Sequence, residues 1–215
     1  RTALLNQNWS HGPMYDAAAA ANPEVVRLGE ALKYLESTDL QFVSGSSGAT
    51  PTGLINWAFN SGSDPHILNV STTGSGTSED GLIGFFEDDE AKKDFMLTNI
   101  NQAPGASAAA TSLDFEIQFD SAINELLRLN RETGKQELII LTGHILDLTL
   151  PGGTGDLFKY NDGIFAGFIL GDFDDSGVID ATDIALLSAK IGTGGVYDSR
   201  YDVTLDGSLI DSDDM

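Results

Sequence analysis

The chain has no cysteine, so neither a disulfide nor a thiolate metal site is open to it. Cations are scarce: Lys and Arg number 11 against 33 Asp and Glu, for a formal net charge of -22 and a pI near 4.1. So few cations leave no surface able to displace counterions from phosphate, which excludes a nucleic-acid binder of the phosphate-contacting kind and disfavours anionic membranes. No apolar run approaches the roughly 20 residues of a membrane span, and the start at Arg1 does not read as a signal peptide. What remains is a globular composition, 41% hydrophobic and 20% charged over 215 residues, enough for one large or two modest domains with a real core.

Asn22-Pro23-Glu24 offers a capping side chain, a proline at a first helical position and an acid in the first turn. Val25, Leu28, Leu32 and Leu35 follow at helical spacing, which predicts an amphipathic helix over 24–36 whose apolar face packs on a neighbour. After Leu40 the texture changes to short apolar runs punctuated by Gly, Ser, Asn and Asp, the pattern of an antiparallel β-sandwich. Strands are predicted at 54–59, 66–70, 82–86, 95–99, 113–119, 125–129, 137–141, 145–150, 156–160 and 164–169. The stretch from Leu113 to Phe119 alternates apolar and polar residues with period two, so one of its faces is buried and the other wet.

The most specific chemistry lies in Asp172-Phe-Asp-Asp-Ser-Gly-Val-Ile-Asp-Ala-Thr-Asp183. Calcium is a hard cation that takes about six to eight oxygens, and the EF-hand loop supplies them from positions 1, 3, 5, 7, 9 and 12 with glycine at 6 for the sharp turn. Those positions are Asp172, Asp174, Ser176, the carbonyl of Val178, Asp180 and Asp183, and Gly177 stands at the turn. Ile179 at position 8 is expected to pin the loop to a core, and 184–191 carries apolar residues at helical spacing before Gly192. A solvated acidic tail would scatter its acids; here they alternate. The pattern returns with one residue inserted after Gly207, giving the candidate ligands Asp202, Thr204, Asp206, Ser208, Asp211 and Asp214.

The tandem over 171–215 resembles the type I dockerin module of secreted bacterial enzymes, two calcium loops each followed by a helix. It departs from that pattern at Ser176, where Asp is normal, in the longer second loop, and in ending at Met215 before a second helix. Cohesin-binding dockerins tend to carry Ser-Thr and basic residues where this chain has Ala181, Thr182, Ser188 and Ala189. The resemblance implies calcium more firmly than it implies a cohesin. Upstream, three phrases resemble the accessory β-sandwich that follows the catalytic barrel of secreted bacterial glycoside hydrolases: Leu35-Glu-Ser-Thr-Asp39, the hairpin from Leu82 to Asn99, and Leu148-Thr-Leu-Pro-Gly-Gly-Thr-Gly-Asp-Leu-Phe158.

Catalytic patterns are absent from the sequence. Glycoside cleavage needs two carboxylates flanking the bond, and no acid here sits in a phrase that marks such a pair. His11, His66 and His144 are isolated, the run Pro151-Gly-Gly-Thr-Gly155 lacks the lysine of a phosphate loop, and no nucleophile-elbow phrase occurs. Trp9, Tyr15, Trp57, Tyr160 and Tyr197 are the aromatics a carbohydrate-binding face could use, with Trp57 reading as core.

The expected organisation is a mainly β chain: 1–39 as an N-terminal helical segment, the tail of a missing barrel; 40–168 as an antiparallel β-sandwich; 169–215 as a small α-helical dockerin-like calcium module, truncated in its second repeat. The start without Met and the end inside a repeat read as an excised piece of something longer. The expected function is the non-catalytic part of a secreted, extracellular bacterial carbohydrate-active protein whose calcium module docks it to a cohesin-like protein partner or to itself, with polysaccharide as a further partner. The alternative is an extracellular structural or matrix protein that self-assembles through sandwich and calcium module.

Overall fold

The computed structural model describes residues 13–45, 50–59, 64–74, 79–191, 197–204, 210 and 214. Among them a helix, α1 (Pro13–Leu32), precedes ten strands: β1 (Glu36–Val43), β2 (Ile55–Asn56), β3 (Ile67–Gly74), β4 (Gly81–Glu87), β5 (Lys93–Asn99), β6 (Leu113–Phe119), β7 (Glu125–Leu129), β8 (Gln136–Ile140), β9 (Ile145–Leu150) and β10 (Gly155–Tyr160). A second helix, α2 (Ala181–Lys190), closes the order. The strands form a seven-stranded sheet, β2-β1-β4-β5-β10-β7-β8, and a three-stranded sheet, β3-β6-β9. The chain is mainly β, as its turn-rich texture predicts. The pairing is antiparallel except for the two-residue parallel contact of β2 with β1, a departure from the all-antiparallel expectation.

The main core fills the space between the sheets. Phe115, Ile117 and Leu146 of the small sheet meet Ile83, Phe95 and Phe158 of the large one, with the Phe95 and Phe158 rings stacked 5.2 Å apart. Close approach here depends on Gly81: a Cβ at that position would come within 2.6 Å of the Phe115 ring. A second core lies between the large sheet and α1, where Leu28 and Ala31 pack with Leu127, Leu129, Leu157 and Phe165. Strand β10 is buried along its whole length.

Three expectations are corrected. The first helix spans Pro13–Leu32 rather than 24–36, with Pro23 inside it. The run Ala17 to Ala21 is strongly helix-forming and carries the helix upstream although it has no apolar period to announce it. Val25 is 67% exposed, so the packed face runs through Leu28, Ala31 and Leu32, and Leu35 joins the same core from beyond the helix end. Residues 36–39 belong to β1, so the large sheet begins before the expected boundary at 40. Residues 164–169 form turns rather than a strand, because Gly163 and Gly167 at φ +148° and +90° reverse the chain around buried Phe165. The hairpin expected from Leu82 to Asn99 is present as β4 and β5, paired from Gly81 with Asn99 to Glu87 with Lys93.

One buried cluster makes stability depend on pH. The ammonium of Lys159, fully buried, lies 3.0 Å from Asp88 Oδ2 and 3.4 Å from Asp94 Oδ2. For Asp88, burial raises the carboxyl, but the bond from Lys159 and the N–H groups of Lys92 and Glu90 outweigh it and hold it below the usual range. Asp94 gets the poorer share: burial, only partly offset by Lys159, pushes it up to about 7. Asp162 nearby is also pushed up by burial. A carboxyl raised in the folded state contributes stability that is fully present below its unfolded value near 3.8 and is lost as pH rises through about 7. Asp94→Asn should therefore flatten the decline in urea-unfolding free energy between pH 4 and pH 8. Parallel pH profiles for the two proteins would refute this assignment.

Candidate metal centre

The loop after the sandwich is shaped by its own acids. Gly177 takes φ +88°, which lets the chain reverse at position 6. Asp172 accepts from two N–H groups across this turn, Ser176 at 3.0 Å and Gly177 at 2.6 Å. Asp174 accepts from the Ser176 N–H at 3.1 Å, and the Ser176 hydroxyl donates to the Val178 carbonyl at 3.1 Å. These bonds tie positions 1 to 7 into one compact turn.

Asp183 closes the ring. It stands at the third position of α2 and its side chain is buried, accepting from Phe173 N–H at 2.7 Å, Asp174 N–H at 3.3 Å and Asp180 N–H at 2.8 Å. The Asp180 N–H, then those of Phe173 and Asp174, hold its carboxyl below the usual range. The result is a convergence of Asp172, Asp174 and Asp183, each offering an oxygen within 4.8 Å of the others. Hard oxygen donors, a shared anionic focus and no nitrogen or sulfur ligand suit calcium better than zinc or copper. A cleft of about 220 Å³ lined by Arg27, Asp172, Asp175 and Gly177 opens beside the loop.

Asp180 lies outside this triad. Its carboxylate accepts from Thr182 N–H at 2.7 Å and caps α2, forming with Asp183 a reciprocal capping box. The same two acids that the spacing assigns to loop positions 9 and 12 thus start the helix. Ile179 is 60% exposed and does not pin the loop to a core; the anchoring is polar, through Asp175 at position 4.

In the second loop, positions 1, 3 and 12 meet again. Thr204 N–H and its hydroxyl both reach Asp214 Oδ1 at 3.2 Å, and the hydroxyl also lies 3.2 Å from Asp202 Oδ1. Both acids are buried. Asp206, Ser208 and Asp211 lie outside the described residues. The two halves are joined by the stacked rings of Phe173 and Tyr201, 4.6 Å apart, with Lys190 and Arg200 over the Tyr201 ring.

Elsewhere, a cavity of about 430 Å³ is lined by His66, Lys92, Glu125, Tyr160 and Asp162 among others. His66 Nδ1 lies 2.8 Å from Asp120, but among the described residues no Ser or Thr lines the space to act as nucleophile. Burial pushes the Glu125 and Asp162 carboxyls up. Tyr160 is buried with its hydroxyl bonded to Asp64, Tyr197 donates to Asp202, and Trp57 packs against the main core, so these three aromatics do not form an open stacking platform. Trp9 lies outside the described residues.

Comparisons of the chain with protein-family models, with curated proteins and with solved structures find no match. No described helix is long and apolar enough to cross a membrane.

Proposed function

We propose that residues 169–215 are a dockerin-like calcium module, and that the chain is the non-catalytic, docking or assembling part of a secreted carbohydrate-active protein. The observation that carries this reading is the convergence of Asp172, Asp174 and Asp183 around a turn made by Gly177, repeated in reduced form by Asp202, Thr204 and Asp214. Backbone N–H groups orient these carboxylates toward one another, which lowers the ordering cost of binding a cation. EF-hand loops serve both inside and outside cells; the resemblance to the dockerins of secreted enzymes is what supports an extracellular setting. Val178, Ile179 and Ile184 are exposed on the module and give a docking surface its apolar component. The same residues support the second reading, a matrix protein that assembles chain to chain.

Titration calorimetry of the intact chain should show calcium binding that the double substitution Asp172→Asn, Asp174→Asn removes from the first loop. Equal heats in both proteins, or none at millimolar calcium, would sink the metal assignment. Sedimentation with calcium present separates the two readings: a monomer that needs a cohesin-like partner, or an assembly of the chain alone.

A further inference from the structure

Gln136 opens β8, the outer strand of the large sheet, and is buried there. Its four polar groups all point to the calcium module or the segment leading into it. The backbone N–H donates to Asp175 Oδ2 at 2.9 Å, and Nε2 donates to Asp175 Oδ1 at 3.1 Å. The carbonyl accepts from Arg200 at 2.5 Å, and Oε1 accepts from the Phe165 N–H at 2.9 Å. Asp175 is position 4 of the first loop, while Arg200 stands two residues before the start of the second. One residue on a sheet edge is therefore held by the first loop and by the residues that lead into the second.

An edge strand turns the N–H and C=O of every second residue away from its neighbour, where another strand can pair with them. At Gln136 those two groups are already taken. Asp175 is also held in a left-handed conformation, φ +54°, between the ligand positions Asp174 and Ser176. That conformation is uncommon outside glycine, though Asp is among the residues that tolerate it. Lys135 adds a bond to the Asp174 carbonyl at 3.0 Å.

We propose that the surface this module occupies is the chain's own sheet edge, and that Gln136 couples cation binding to β8. The inference rests on the calcium reading. A cation held by Asp174 and Ser176 fixes the backbone at Asp175; the Asp175 carboxylate then clamps Gln136, and by reciprocity an ordered β8 favours the cation. A second copy or a separate strand could reach this edge only by displacing those bonds.

Hydrogen exchange on the intact chain tests this, with calcium and with chelator. Calcium should slow exchange at the Gln136 amide by about tenfold or more, within the usual range of coupling between sites, and should slow Glu137 and Ile139, whose amides face β7. Asp175→Gly removes both bonds to Gln136, suits the positive φ and leaves every proposed ligand in place. It should still bind calcium by calorimetry while the slowing disappears. Should that variant fold poorly, Gln136→Ala should weaken the slowing by the same logic. Calcium binding by the unaltered chain without any change at Gln136, or undiminished slowing in Asp175→Gly, overturns the coupling and leaves the calcium reading standing. Calcium-induced assembly with β8 protected only in the assembled form makes a second copy the occupant and also overturns it. Absence of calcium binding by the unaltered chain refutes the metal reading itself, and the coupling with it.

Discussion

Replacing Asp156 by alanine should destabilise the chain by about 3–5 kcal/mol, the range seen when one member of a buried ion pair is removed. Asp156 sits in β10 with no exposed surface. Arg131 meets one of its oxygens at 2.8 Å and Arg128 the other at 2.6 Å. Arg131 also lies 3.4 Å from Glu24, so the same charge links α1 to the sheet. Without Asp156 the nearly buried Arg131 guanidinium keeps only weaker partners, Glu24 and Glu132. Asp156→Asn retains an acceptor and should cost less. Urea unfolding at neutral pH measures both; a loss under about 1 kcal/mol for the alanine variant, as for an exposed pair, would show the cluster to be dispensable.

Chelating calcium should lower the melting temperature by about 5–10 °C. The unfolded chain cannot assemble the oxygen cage, so calcium at a hundredfold excess over its dissociation constant contributes about 2.7 kcal/mol. For a chain of this size each kcal/mol moves the midpoint by about 2–4 °C. Calorimetric scans with calcium and with chelator provide the measurement. Superimposable scans would mean that no cation is held in the folded state.

Sequence legibility varied with the kind of interaction. The bounds of β6, β7 and β9 match the predicted ones: in β6 and β9 burial on one face writes a period of two into the sequence, while β7 is a short apolar run with Leu126 in one core and Leu127 and Leu129 in the other. Strand β1 was missed: its first half, Glu36-Ser-Thr-Asp39, is polar and mostly exposed, and only the end at Val43 enters the core. The start of α1 was invisible because alanine has helix propensity without a face. At the candidate metal centre the convergence of Asp172, Asp174 and Asp183 was readable from their spacing, since a tight loop brings together residues a few positions apart. What anchors that loop was not. Gln136 and Asp175 are separated by 39 residues and Gln136 and Arg200 by 64, and nothing local to Gln136 distinguishes it from any polar residue at a strand end. Asp175 could have been suspected as the one acid in its loop with no ligand slot to fill.

The place of β10 in the large sheet bears on how the chain acquires its structure. The order β5-β10-β7 means that strands on either side of β10 emerge earlier in synthesis, and that neither can pair across the gap until residues 155–160 arrive. Until then two ribbons, β2-β1-β4-β5 and β7-β8, present apolar faces and unsatisfied edges at the position that the last strand will fill. Closure across so many residues is slow compared with hairpin formation, and the waiting ribbons are the species most open to aggregation. Substitutions in β10 that keep its volume but slow its insertion should thus reduce the yield of folded chain more than they alter its final stability.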